Sequence, residues 1–184
     1  MLYMQRHRDN IARWLPSASI GAEIGVFTGR FAKRLAKLTN PRTLYLIDPW
    51  WTRYGDVFSF RPALATQTAY DATVQRMKWW IERDIVQVVV KRSQEALAEM
   101  PSEHLDWVYL DSSHDYVETL EELELCSKKV KGKGVIAGHD FNTRRHPGVF
   151  RALTEFLQTH PEYELSYQDN HHQWGIRRRE HSAP

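Results

Sequence analysis

Glu23, Asp48, Asp111 and Asp140 stand in or just beyond the ends of short apolar runs. The runs are "SIGAEIGV" (19–26), "TLYLID" (43–48), "IVQVVV" (85–90), "LDWVYLD" (105–111) and "GVIAG" (134–138). The third leads to Ser93 and the fifth to His139-Asp140. Carboxylates collected at the ends of buried segments are costly unless cations or hydroxyl donors meet them there. In the first run, Glu23, Gly25 and Gly29 form Glu-x-Gly-x-x-x-Gly. Glycines at such a turn let a ligand, or a neighbouring helix, approach the backbone closely. The dinucleotide fingerprint is G-x-G-x-x-G. Here an acid stands where a pyrophosphate would come closest, which opposes a phosphate ligand and suits a positive or hydrogen-bond-donating one. Asp48 follows the glycines by about 20 residues, where an acid accepts hydrogen bonds from ribose hydroxyls.

Positioning these residues needs strands, and the runs suit them. Continuous apolar runs of this length, rich in Val, Ile, Leu and Tyr, fit strands buried on both faces of a parallel sheet. Helix-like stretches alternate with them. Residues 3–14 form a short helix stopped before Pro16. Residues 30–38 place Phe31, Leu35 and Leu38 on one face. Residues 115–130 put Tyr116, Leu120, Leu123 and Val130 on a stripe, with Glu118, Glu121, Glu122 and Glu124 mostly off it and "KGKG" closing the helix. Residues 147–160 open on Pro147, which suits a first helical turn. "YELSYQ" (163–168) and "QWGIRR" (173–178) are joined by only "DNHH". A parallel crossover needs a dozen or more residues, so this pair reads as an antiparallel hairpin. The expectation is a single α/β domain over 1–184. Its sheet is doubly wound, seven-stranded and mostly parallel, ending in a hairpin. Residues 49–80 exceed a simple crossover and read as a lid or insert beside the ligand.

Composition bounds the function. With 42% apolar and 26% charged residues, the chain is long enough to bury a core and is not disordered. A formal charge of +2 gives no overall case for nucleic acid, and "RRR" at 177–179 reads as a solvated tail. The single cysteine, Cys126, excludes an intrachain disulfide and a Cys-based zinc site, and fits a reducing cytoplasm. The polar N-terminus reads as no signal peptide, and no apolar run approaches the ~20 residues of a membrane span. Trp79–Trp80 read as core or interface packing, and His171–His172 as an exposed turn.

A ribose without phosphates, joined to a cation, describes S-adenosylmethionine (SAM). The chain resembles class I SAM-dependent methyltransferases, and within them the small-molecule O-methyltransferases of the macrocin and caffeoyl-CoA types. The resemblance is carried by "AEIGVFTGRF", "LIDPW", "RSQEAL", "LDWVYLDSSHDYVET", "GKGVIAGHDF" and the final hairpin. It implies a Rossmann-like fold, with Glu23, Gly25 and Gly29 at the methionine part of the cofactor. It further implies Asp48 at the ribose, Trp50 close to the adenosine, Ser93 beside the adenine, and Asp111 at the same crevice. In metal-dependent relatives, acids matching Asp111 and Asp140 hold a divalent cation. Physics agrees: two carboxylates at adjacent strand ends must be bridged by a cation or share a proton. Oxygen ligands favour Mg²⁺, Mn²⁺ or Ca²⁺, and His139 departs from an all-oxygen set. His114 titrates near neutrality and could take a proton as general base. The implied activity is O-methylation of a small hydroxylated acceptor, without nucleic acid or membrane. The aromatics of 50–60 point to a lid or a homo-oligomer contact. The rival readings are a SAM-binding protein without catalysis and a nucleotide-dependent enzyme on a related sheet.

Overall fold

The computed structural model describes residues 8–50 and 63–180, with side chains from residue 67 onward in the second stretch. Six helices and seven strands alternate among the described residues: α1 (Asp9–Trp14), β1 (Ile20–Ile24), α2 (Arg30–Thr39), β2 (Thr43–Ile47), α3 (Ala63–Ile81), β3 (Val86–Val89), α4 (Ser93–Glu99), β4 (Leu105–Leu110), α5 (Tyr116–Lys129), β5 (Val130–Gly138), α6 (Pro147–Thr159), β6 (Tyr163–Gln168) and β7 (Trp174–Arg178). The strands form one sheet in the order β3-β2-β1-β4-β5-β7-β6. β1 to β5 run parallel, and β7 runs antiparallel to both β5 and β6. This is the expected seven-stranded, doubly wound α/β sheet with a C-terminal hairpin.

Each strand alternates its side chains between two cores. Trp107 and Tyr109 of β4 join Ile11, Phe31, Leu35, Ala69 and Met77, from α1, α2 and α3, on one face. Val108 and Leu110 join Leu97, Leu123, Cys126, Leu153 and Phe156, from α4, α5 and α6, on the other. Cys126 is thus a small buried hydrophobe. Both faces are covered, which is why the runs read as continuously apolar. The chain leaves β1 toward β2 and β3, then returns to β4 on β1's other side. That reversal opens a crevice at the carboxyl ends of β1 and β4.

Two expectations need correction. "KGKG" does not close α5: the helix ends at Lys129, and residues 131–134 already belong to β5. A register shift between Leu105 and Trp107 absorbs the irregular start. Glu122 is not on a solvated face but 2% exposed. Within the lid or insert expected over 49–80, Ala63–Ile81 form α3, whose Ala69 and Met77 pack into the core. Residues 51–62, the rest of that lid with Trp51, lie outside the described residues. Trp80 packs against the core, whereas Trp79 is exposed beneath the guanidinium of Arg83, 4.1 Å from the ring centre. No described helix is long and apolar enough to cross a membrane.

Candidate active site at the carboxyl edge of the sheet

Strand register sets the site. Ile24 pairs with Ile47 on one side and Leu110 on the other, and Leu110 pairs with Gly138. The next residue of each strand therefore lies along one edge: Gly25, Asp48, Asp111 and His139. Backbone bonds extend the ladder one step, from Gly25 N to Ile47 O (3.0 Å), Asp111 N to Ile24 O (2.8 Å) and His139 N to Leu110 O (3.1 Å). The sequence put these residues at strand ends; the register puts them side by side.

The glycine loop then turns. Gly25 and Gly29 both have positive φ, +86° and +66°. A Cβ on Gly25 would stand 2.2 Å from the carbonyl oxygen of Asp111, and one on Gly29 would stand 2.9 Å from Thr73 Cγ2 of α3. The two glycines thus admit neighbouring chain: the turn after β4 at Gly25 and a helix at Gly29. α3 also secures the loop by hydrogen bonds. Thr73 Oγ1 donates to Phe27 O (3.0 Å), and Arg76 Nη1 donates to Thr28 O.

Asp48 faces the same loop from below. Its Oδ2 accepts from Val26 N (2.9 Å) and Phe27 N (2.8 Å), and its Oδ1 accepts from Trp50 N (2.8 Å). Burial raises its pKa, and the three backbone donors pull the other way. Trp50 is fully buried, donates from Nε1 to Phe27 O (2.8 Å) and meets Tyr70 edge-on. Both residues therefore clasp the glycine loop. Glu23, 1% exposed, is different: its Oε2 has no hydrogen-bond partner. Burial, then the charge of Asp111, pushes its carboxyl well up, with Arg8 offsetting in part. Beside it, Tyr109 donates to Gln173 Oε1 (2.6 Å), leaving Gln173 Nε2 buried and unpartnered.

Arg8 is a site residue with no signal in the sequence. It lies just before α1 and reaches across to donate from Nη1 to Asp111 Oδ2 (2.5 Å). Its Nη2 lies 3.0 Å from His139 Nδ1, and its guanidinium lies over the ring of Phe31. Nothing short of the tertiary fold could have paired partners 103 positions apart.

Around Asp140 three imidazoles converge. His114 Nε2 is 2.6 Å and His139 Nδ1 3.0 Å from Asp140 Oδ2, and His146 Nε2 is 3.4 Å from Oδ1. His114 Nε2 also stands 3.6 Å from Asp111 Oδ1. Both His114 and Asp140 hold positive φ, 63° and 62°, a strained setting typical of functional positions. Burial would lower the pKa of His114, but Asp111 and Asp140 outweigh it and push it up to about 9. The imidazoles in turn hold the Asp140 carboxyl well below the usual range, against its burial. In the ion-free protein His114 is therefore a proton donor at neutral pH. Two ligand groups are present, Asp111–His139–Asp140 and His114–Asp140–His146, each with its atoms within 4.8 Å of one another. These donors fit a divalent cation.

The remaining expected residues fall nearby. Ser93 is buried as the first residue of α4, with Arg92 rather than Ser93 at the cap position. Its Oγ donates to Gln94 Oε1 (3.1 Å). Ser112 donates to the buried Glu122 (2.6 Å), a partner the helical pattern did not reveal. His171 is exposed, while His172 is half-buried, its carbonyl accepting from Phe141 N (3.1 Å). The hairpin turn thus borders the segment after β5.

Comparison with known proteins agrees with this fold. No curated protein matches the sequence. Solved structures share the fold at low identity. One from Clostridium thermocellum, proposed to be an rRNA methylase, aligns with TM-score 0.67 and 12% identity over 94% of each chain. A proposed methyltransferase of Streptococcus mutans, in complex with SAH, aligns with TM-score 0.63 and 12% identity over 93% of this chain and 94% of its own. The N-methyltransferase NodS of Bradyrhizobium japonicum WM9 aligns with TM-score 0.62 and 18% identity over 97% and 98%. A family model described as a methyltransferase domain matches residues 20–141, from the first residue of β1 to just past Asp140. That span holds the glycine loop and both acid pairs, and by it the chain belongs to the family of SAM-dependent methyltransferase domains.

Proposed function

We propose that this methyltransferase moves the methyl group of SAM to a hydroxyl of a small molecule, beside a divalent cation at the same edge. One observation carries the cofactor seat: the buried, partnerless Oε2 of Glu23 next to the glycine loop. A buried carboxylate oxygen lacking a donor is costly, and an ammonium group such as that of SAM's methionine part satisfies it. Gly25, Gly29, Asp48 and Trp50 then serve by holding the loop in shape. Ser93 flanks the crevice on the adenine side.

SAM supplies the methyl group as a sulfonium, so the chain's task is to align donor and acceptor and keep water away. Asp140 belongs to both ligand groups and anchors the cation. Such an ion lowers the pKa of an acceptor hydroxyl. Arg8 neutralises Asp111, and His114 bridges toward Asp140. The basic run has partners within the chain: Arg177 and Arg179, both exposed, face Glu164, and Arg178 donates to Ser127 O (3.1 Å) and Tyr163 Oη (3.1 Å). A small acceptor is favoured over nucleic acid because the edge collects carboxyl groups rather than the basic patch a phosphate backbone needs.

The test has two arms. Calorimetry compares SAM binding in the wild type and Glu23→Gln; a charged hydrogen bond of about 1.5–3 kcal/mol predicts roughly tenfold or greater weakening. Labelled SAM is then offered with a panel of sugars, catechols and other hydroxylated compounds, and separately with total RNA. Label in the small molecules supports the reading. Label in RNA alone, or tight SAM binding with no transfer to any acceptor, overturns it.

A further inference from the structure

Which of the two ligand groups takes the ion is decided by Arg8. Its guanidinium holds Asp111 Oδ2 and faces His139 Nδ1, so two of the three members of that group already meet a fixed positive charge. A nitrogen that accepts from Arg8 cannot also donate to Asp140, although it lies 3.0 Å from that carboxylate. A second cation there would sit against the guanidinium. Asp140 also presents Oδ2 to His114 and Oδ1 to His146, and among the described residues no Lys or Arg hydrogen-bonds to either imidazole.

The His114 contact is informative. Nε2 is buried and 2.6 Å from a carboxylate oxygen, yet it is not aligned as a hydrogen bond. A nitrogen and a carboxylate oxygen this close, without an aligned hydrogen bond, can be joined by an ion that displaces the imidazole proton. Metal–ligand bonds of about 2.0–2.2 Å place tetrahedral ligand atoms roughly 3.3–3.5 Å apart. The His146–Asp140 separation of 3.4 Å meets this, and the His114 contact must open by less than an ångström. The loop after β5 is shaped to return His146 to the site. Asn142 Oδ1 accepts from Arg144 N (2.8 Å) and Arg145 N (3.1 Å), and His146 N donates to Asn142 O (3.2 Å). The rings of His114 and His146 lie 4.5 Å apart.

We infer that His114, Asp140 and His146 form a two-histidine, one-carboxylate site for a nitrogen-preferring first-row divalent ion such as Zn²⁺ or Co²⁺, and not for Mg²⁺. Imidazole suits such ions, whereas Mg²⁺ demands oxygen ligands. Three protein ligands leave open positions for an acceptor oxygen. In this arrangement Arg8 takes the charge-neutralising part at Asp111 that a second cation would otherwise fill. The inference rests on the acceptor site assigned above, but its readout does not need turnover.

The full chain, stripped with chelator, is titrated with Zn²⁺, Co²⁺ and Mg²⁺ by calorimetry, and the Co²⁺ form is read by its visible absorption. One equivalent of Zn²⁺ or Co²⁺ is expected, unmoved by excess Mg²⁺. His146→Ala should weaken it by about tenfold or more, since loss of even outer-shell partners costs 10–100-fold. Arg8→Ala should not weaken it. His146 is half-exposed, so its variant should fold, and circular dichroism verifies this. Tighter binding of Mg²⁺ than Zn²⁺, equal Zn²⁺ affinity in His146→Ala, or no uptake of any ion overturns the inference. SAM titrated into the same variant separates the two proposals: intact SAM binding with lost metal leaves the cofactor seat standing, and the reverse leaves the metal site standing.

Discussion

Gly25 answers to two constraints at once. Its φ of +86° lies where L side chains rarely sit, and a Cβ would meet the Asp111 carbonyl oxygen at 2.2 Å and Ser112 Cα at 2.9 Å. Both obstacles are backbone, held by the bond from Asp111 N to Ile24 O. Left-handed strain alone costs about 1–2 kcal/mol, and the clash adds to it. Gly25→Ala should therefore lower stability by at least about 2 kcal/mol, read as a fall in urea midpoint, and displace Asp111. Gly29→Ala meets first a side-chain methyl, Thr73 Cγ2, and should cost less. Equal losses for the two would contradict this account. The sequence makes the glycine spacing legible, because glycine adopts such turns without the strain other residues incur. What approaches each glycine was not legible: the Asp111 carbonyl and Thr73 arrive from other elements. The same holds for Arg8, whose pairing with Asp111 is a long-range contact with no local pattern.

At the scale of elements, α3 is more than a crossover. Thr73 Oγ1 lies within hydrogen-bond distance of Phe27 O (3.0 Å) and Ala69 O (2.9 Å), its one proton shared between them. Thr73→Val keeps the shape and deletes the hydroxyl. A typical hydrogen bond contributes about 1 kcal/mol, so stability should fall by about that amount. Because Phe27 follows Gly25 in the loop, SAM affinity should fall with it, while Thr73→Ser keeps both. Calorimetry on the pair decides; unchanged SAM binding in the valine variant would mean that α3 does not govern the loop. Helical periodicity exposed α2, α5 and α6 because each buries one stripe. It misplaced Glu122, since a helix lying between the sheet and a neighbouring strand end buries more than a stripe, and Ser112 supplies the donor that makes this affordable. It also misread residues 131–134: glycines suggest a stop, but Gly134 sits against Asp106 O at 2.6 Å from its notional Cβ, a close strand contact.

For the whole molecule, the alternation of runs fixed the layer order, while the site came from register across strands distant in sequence. The sheet's opposite end has its own tether. Asp106, in β4, accepts from Ile20 N of β1 (2.7 Å) and from Lys131 Nζ of β5 (2.8 Å), with Arg42 at 3.8 Å. Three elements bordering the central strand thus converge on one carboxylate. Burial would raise its pKa, but the Ile20 amide and Lys131 outweigh it and hold it below the usual range. A carboxyl with a depressed folded pKa stabilises fully above its unfolded value of about 3.9, and that stabilisation is lost as pH falls toward the folded value. Asp106→Asn should therefore be less stable than the wild type near neutrality. The difference should shrink once pH drops below about 4. Taking the difference between the two proteins cancels the other titrating groups, including Glu23 and Glu122, whose raised values act with the opposite sign. Urea midpoints measured from neutral to acid pH give the result, and a gap that stays constant with pH would show that the Asp106 charge does not tie β1, β4 and β5 together.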